Sequence, residues 1–236
     1  MLRYFANALA AAKVDVRLNT RADAALLAAG GYDDIVVATG VQPRTPEIAG
    51  IDHPKVLSYV DVLTGKAQVG QRVAIIGAGG IGFDMAEFLL GDAAESTQIP
   101  AFQAAWGVDA QIREPGGLVA PTAHQPQRQI TMLQRKPESL GRNLGKSTGW
   151  ILKAKLRRAK VEMIAGAQYD AVDDAGLHVR VNGEPRVLDV DHVILCAGQT
   201  SERGLVDALQ AAGLRCHVIG GADVAAELDA LRAIDQ

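Results

Sequence analysis

The stretch "RVAIIGAGGIGFDMAEFLL" (72–90) decides how the chain is read. An apolar run, Val73 to Ile76, breaks at Gly77-Ala78-Gly79-Gly80-Ile81-Gly82. It then passes into a pattern with apolar residues at Ile81, Met85, Phe88 and Leu89. That order reads as a buried strand, a tight turn and a helix. Gly-x-Gly-x-x-Gly in this setting is the fingerprint of a dinucleotide-binding turn. Gly77 allows the sharp turn, Gly79 lets the backbone approach a pyrophosphate, and Gly82 lets helix pack on strand. The helix N-terminus favours the negative charge. A glycine turn that serves packing alone is the competing reading, and the flanking strand and helix count against it.

The residue after the second strand bears on which nucleotide is held. An NAD site carries an acid there for the ribose 2′-hydroxyl. Here the next strand, "QITMLQ" (129–134), is followed by Arg135 and Lys136. Two cations suit a 2′-phosphate, which Arg grips with two hydrogen bonds. NADPH is therefore expected over NADH. Two solvated surface charges are the plain alternative. Asp109 and Glu114 are the nearest acids, inside a stretch (92–128) that loses periodicity and reads as an insertion.

Bulk properties narrow the class. The chain has 236 residues, 48% of them hydrophobic, enough for a packed core. A net charge of -3 gives no footing for nucleic acid or a membrane surface as partner. No apolar run approaches the roughly 18–20 residues that span a bilayer. The start, "MLRYFANALAAAK", lacks a signal-peptide pattern, so a cytoplasmic location is expected. Cys196 and Cys216 sit in apolar runs and read as structural thiols. The five histidines are scattered, so no metal site is expected.

Around the glycine turn, strand and helix patterns alternate, as in a parallel α/β sheet. Residues 2–12 read as a helix with Leu2, Phe5, Leu9 and Ala12 on one face, and 14–19 ("VDVRLN") as a strand. "DDIVVATG" (33–40) is a buried strand, and the proline-rich 41–54 a crossing loop. After the helix at 147–160 and the strand at 161–167 come three short stretches separated by turns, an antiparallel meander. "DHVILCAG" (191–198) is a buried strand. "SERGLVDALQAAG" (201–213) is a helix capped by Ser201, and a last strand and helix close the chain. The expected domains are 1–66, 71–200 with the insertion 92–128, and a return segment at 214–236.

Two flanking segments carry a resemblance. "DDIVVATGVQPRTPEIAGID" is similar to a motif of flavoproteins with two dinucleotide-binding domains: Ala38-Thr39-Gly40, then Pro43, Arg44, Pro46 and Gly50. The resemblance implies that Ala38, Thr39 and Gly40 pass close to FAD. In "VIGGADVA" (218–225) it implies that Asp223, after Gly221, bonds the ribityl or pyrophosphate region, with a helix N-terminus beyond it aimed at the flavin. An ordinary helix cap is the alternative for Asp223. Together with "GIDHPKVLSYVDVL", "ITMLQRK", "LGKSTGWI" and "GGADVAAELDALRAI", these segments resemble the C-terminal part of bacterial NADPH-dependent 2,4-dienoyl-CoA reductase, an iron–sulfur flavoprotein of the NADH:flavin oxidoreductase family.

That resemblance implies an NADPH-oxidising, FAD-reducing module of fatty acid β-oxidation, with a Rossmann-like NAD(P)-binding domain inserted in a truncated FAD-binding domain. Electrons would pass onward to a [4Fe-4S] cluster and FMN that the chain does not carry. The opening glycine loop of the FAD domain is expected upstream of Met1. No catalytic residue is expected, since the cofactors carry the chemistry. An inactive nucleotide-binding fragment, or a split subunit whose partner chain carries a TIM barrel and the cluster, stay open as alternatives.

Overall fold

A computed structural model of the chain describes residues 1–91, 97–122, 126–226 and 230–236. The chain divides into two compact units, Met1–Gln42 with Thr200–Gln236, and Pro43–Gln199.

The first unit opens with α1 (Leu2–Ala11), α2 (Ala24–Ala29), β1 (Ile35–Val37) and the start of β2 (Val41–Pro43). Asp23 caps α2 by accepting from the Leu26 N–H at 2.8 Å. The expected strand at 14–19 does not form; those residues are exposed coil and turn. Alternating side chains alone do not make a strand, because its N–H and C=O groups need a neighbour. α1 forms as expected, yet Leu2, Phe5 and Leu9 on its apolar face are exposed.

The second unit begins with the crossing loop, β3 (Val56–Ser58) and α3 (Tyr59–Leu63), capped by Ser58. The glycine-turn pair follows, β4 (Arg72–Ile76) and α4 (Gly80–Leu90), then α5 (Ile99–Trp106) within the insertion. Next come β5 (Gln129–Leu133), α6 (Gly149–Arg158) and β6 (Glu162–Ile164). The meander is β7 (Gln168–Asp173), β8 (Gly176–Val181) and β9 (Glu184–Leu188), and β10 (His192–Leu195) follows it. The chain returns to the first unit through β11 (Gln199–Ser201), then α7 (Gly204–Ala211), β12 (Cys216–Val218) and α8 (Ala230–Asp235).

Five strands of the second unit form a parallel sheet in the order β3-β10-β4-β5-β6. Both faces are covered, which is why "VAII" is apolar without alternation. Val73 and Ile75 of β4 pack with Ile130 and Met132 of β5 against Phe83, Met85 and Leu89 of α4 and Leu156 of α6. Ala74, Ile76 and Leu133 face the other way, onto Val172, Leu177 and Val179 of the meander. Phe88, expected on the apolar face of α4, is 53% exposed. At 100° per residue it lies about 200° round the helix from buried Ala86.

Residues 43–66, expected with the first segment, belong to the second unit. Ile48 joins the core under the meander, Val172 N–H donates to Ala49 O at 2.8 Å, and β3 pairs with β10. Residues 200–213, expected at the end of the nucleotide domain or between segments, lie in the first unit. There β1 and β12 pair in parallel, and Ile35 and Val37 pack on Val206 and Leu209 of α7. Ser201 does not cap α7. It lies in β11, and Glu202 Oε1 accepts from the Gly204 N–H at 3.0 Å.

The described part of the insertion is ordered rather than aperiodic. α5 ends at Gly107, whose φ of 67° suits a left-handed cap. The Asp109 carboxylate accepts N–H groups of Gln111, Arg113 and Glu114 at 3.0, 2.8 and 3.3 Å. Trp106 lies under the Arg158 guanidinium, 4.7 Å from the ring centre, at the C-terminal end of α6. The insertion leaves the end of α4 and enters the start of β5, so it sits at the opposite sheet edge from the glycine turn. Residues 92–96 and 123–125, expected as part of it, lie outside the described residues.

The starts of β4 and β10 are tied by one carboxylate. Asp191 accepts the N–H groups of Gln71 and Arg72, each at 2.8 Å, and the Arg72 guanidinium at 2.8 Å. These bonds hold its carboxyl down to about 2. A carboxyl depressed in the fold stabilises above its unfolded value of about 3.9 and loses that contribution as pH falls toward the folded one. Asp191→Asn should lower the melting temperature at pH 7. The gap from the unmodified chain should close as pH falls from about 4 to about 2; a gap that stays constant in calorimetry would remove Asp191 from the acid response.

Candidate functional site

The glycine turn is built by close backbone approach. Gly77 has φ +112°, and a Cβ there would lie 2.1 Å from the Cys196 carbonyl oxygen. The Gly77 N–H donates to Leu133 O at 2.9 Å, and Cys196 N–H to Ile76 O at 2.8 Å. The turn is thus wedged between the ends of β5 and β10. A Cβ at Gly82 would lie 2.0 Å from Gly77 O, so only glycine lets α4 sit this close. By contrast, a Cβ at Gly79 or Gly80 would meet no heavy atom within 4 Å.

Gly79 caps α4 without a side chain, and the first intrahelical bond runs from Phe83 N–H to Gly79 O at 3.1 Å. The N–H groups of Gly80, Ile81 and Gly82 lie ahead of it, at the positive end of the helix. A free cradle therefore sits at the C-terminal edge of the sheet, where the order reverses between β10 and β4. That is where open α/β sheets hold ligands. The geometry fits a dinucleotide pyrophosphate.

Beside it, the segment after β5 is held by its own backbone. Gln134 Nε2 donates to the carbonyls of Lys136 and Glu138, at 3.1 and 2.5 Å, and Gly166 N–H donates to Lys136 O at 3.0 Å. The side chains of Arg135 and Lys136 are exposed and make no ion pair among the described residues. The Tyr169 phenol is half-buried; burial pushes its pKa upward and the Arg135 charge pulls it back. The acids Asp109 and Glu114 lie in the insertion at the far sheet edge, and the Asp109 carboxylate is already engaged by three N–H groups.

The first unit brings its expected residues to the ends of β1 and β12. Thr39 Oγ1 donates to Glu202 O at 2.6 Å, and Glu202 N–H donates to Gly40 O at 3.0 Å. Gly40 has φ +79° with open space where a Cβ would be, and a Cβ at Gly221 would lie 3.1 Å from the Gly40 carbonyl carbon. Ala38 and Thr39 are exposed. Small residues and open backbone fit the close approach of a flat ring system. Asp223 follows a turn at Gly220–Ala222, with its side chain 3.9 Å from Arg232.

The helix expected beyond Asp223 does not follow it at once. Val224–Ala226 are non-helical, the described helix α8 begins at Ala230, and 227–229 lie outside the described residues. The Val224 and Ala226 carbonyls instead accept from Arg232 Nη1. Asp223 is therefore not shown as a helix cap either.

Residues whose roles sequence reading passed over are Gln134, which shapes the cationic loop, and Arg44, which grips the end of β10 (below). Position directly after a strand end was the available signal for both. Cys196 is buried, and burial pushes its thiol up to about 12, so it is protonated at neutral pH.

A family model described as Pyridine nucleotide-disulphide oxidoreductase matches residues 8–230. The chain belongs to that family, whose members bind FAD and a pyridine nucleotide, and its class is a flavoprotein oxidoreductase module. It is 29% identical over 223 residues to a metal reductase of Desulforamulus reducens, covering 93% of this chain and 32% of that protein. It is 25% identical over 223 residues to a cinnamate reductase of Clostridium sporogenes, covering 94% of this chain and 28% of that one. The chain thus spans about a third of the length of these relatives. A solved 2-naphthoyl-CoA reductase shares the fold, with a TM-score of 0.76 at 20% identity over 98% of this chain and 30% of its own. No helix among the described residues is long and apolar enough to cross a membrane.

The two kinds of glycine separate by substitution. Gly82→Ala should cost about 1–3 kcal/mol in urea denaturation, from overpacking against Gly77 O. Gly79→Ala should stay within about 0.5 kcal/mol of the unmodified chain. Equal losses would mean that the space above Gly79 is not open in solution.

Proposed function

We propose that the chain is the electron-entry module of a longer reductase, moving a hydride from NADPH to FAD. The observation that carries this reading is the open cradle above Gly79 and Gly80 beside two exposed cations, Arg135 and Lys136. Bound together, the two cofactors would supply the hydride donor and acceptor. The chain's part is to bind and orient them. Gly77–Gly82 and the start of α4 would hold the NADPH pyrophosphate, and Arg135 and Lys136 its 2′-phosphate. Ala38, Thr39 and Gly40 would let a flavin lie close, with Gly221 and Asp223 beside it. No side chain of this chain is asked to move a proton.

The finer reading is a module of 2,4-dienoyl-CoA reductase type. It rests on the run of segments from "GIDHPKVLSYVDVL" to "GGADVAAELDALRAI". The curated cinnamate reductase acts, by its name, on an acid whose double bond is conjugated to a carboxyl group, in line with a conjugated acyl substrate. The cluster and FMN would lie outside these 236 residues, on the same polypeptide or on a partner chain.

Calorimetric titration tests the nucleotide assignment. The chain should bind NADPH at least about tenfold more tightly than NADH, and Arg135→Gln with Lys136→Gln should abolish the difference. Equal affinities in the unmodified chain would overturn it. Quenching of FAD fluorescence on addition of the chain tests the flavin half separately.

A further inference from the structure

We propose that Arg44 is a positioning residue for the nucleotide cradle, acting through the backbone that leaves β10. This rests on the reading of the glycine turn as a nucleotide site.

Three hydrogen bonds run from Arg44 into two consecutive peptides. Its Nε donates to the Ala197 carbonyl at 2.9 Å, and its Nη2 donates to the same oxygen. Its backbone N–H donates to the Gly198 carbonyl at 3.0 Å. Gly198 has φ +98°, which a side chain would strain, and a Cβ there would come within 3.6 Å of Arg44 Nη2. The peptide just before these is the one that touches the glycine turn. The site of a Gly77 Cβ lies 2.1 Å from Cys196 O and 3.1 Å from Ala197 N.

Planar peptides transmit orientation. Fixing the Ala197 and Gly198 carbonyls leaves the Cys196–Ala197 peptide little freedom, because its other side is held by Cys196 N–H to Ile76 O. That peptide is the wall against which Gly77 makes its turn. The direction of the N–H groups at the start of α4 follows from the turn, since Gly82 packs on Gly77 O. Release of the guanidinium would let the wall, and with it the cradle, relax. Two donors on one carbonyl need a planar fork, which an ammonium lacks. Arg44 is exposed, so its removal leaves no buried cavity.

The test measures NADPH and NADH dissociation constants by calorimetry for the unmodified chain, Arg44→Ala and Arg44→Lys, with thermal melts alongside. Arg44→Ala should weaken both nucleotides by about tenfold and leave the ratio between them unchanged, because the pyrophosphate cradle is common to both. Arg44→Lys should lose about threefold. Methylguanidinium should restore part of the affinity of Arg44→Ala without affecting the unmodified chain. A folded Arg44→Ala that binds within about twofold of the unmodified chain overturns the proposal. So does a loss that tracks a fall in melting temperature and is not rescued. If Arg44→Ala does not fold, Arg44→Lys decides by the same criterion. An unmodified chain that binds neither nucleotide removes the proposed function itself, a different failure from unchanged binding in the Arg44 variants.

Discussion

The Cys196 carbonyl occupies the space a side chain at residue 77 would need. This backbone contact, between the ends of two adjacent parallel strands, sets much of what surrounds it. It requires φ +112° at Gly77, which turns the chain off β4 at once. The sharp turn brings α4 down onto the strand, close enough that Gly82 also has no room for a Cβ. Because the two approaches consume Gly77 and Gly82, the intervening Gly79 and Gly80 are left over open space. Packing and binding are thus divided among the glycines of one turn: the outer two close the structure, and the inner two leave room beside helix N–H groups.

The same division explains which parts of the fold were legible in the sequence. "VAII" was legible because burial on both faces leaves only one kind of residue acceptable. The meander was legible from its turns, Asp-Asp-Ala-Gly and Asn-Gly-Glu-Pro. "VDVRLN" misled because alternation records a preference for one face and says nothing of a neighbouring strand. The assignment of 43–66 failed for a related reason: β3 owes its place to pairing with β10, more than a hundred residues later, which local pattern does not encode. Ser201 looked like a helix cap by residue type, but Glu202 is placed one residue nearer the helix and takes the bond.

In the candidate site, local spacing picked out residues by position. Arg135 and Lys136 come one residue after β5, so locating that strand located them. Their presentation depends on Gln134, whose amide spans the loop to two carbonyls. Asp223 shows the limit of motif transfer. The residues directly after it, Val224–Ala226, are non-helical, the Val224 and Ala226 carbonyls are gathered by Arg232, and α8 is described from Ala230. A motif fixes residue types; the backbone around it depends on what else packs there.

The family's description joins pyridine nucleotides to disulphides, and the cysteines of this chain bear on that chemistry directly. Thiol–disulfide exchange needs a thiolate and a second sulfur within bonding reach. The chain has two cysteines, both free. Cys196 is buried behind the glycine turn with its thiol pushed up to about 12, so almost none is thiolate at neutral pH. Its carbonyl, not its sulfur, makes the contact with Gly77, and the residue serves the turn through backbone geometry. Cys216 lies in β12, where it packs with the core of the first unit. On the proposed reading, the reducing equivalents collected at the nucleotide cradle leave for groups outside this chain.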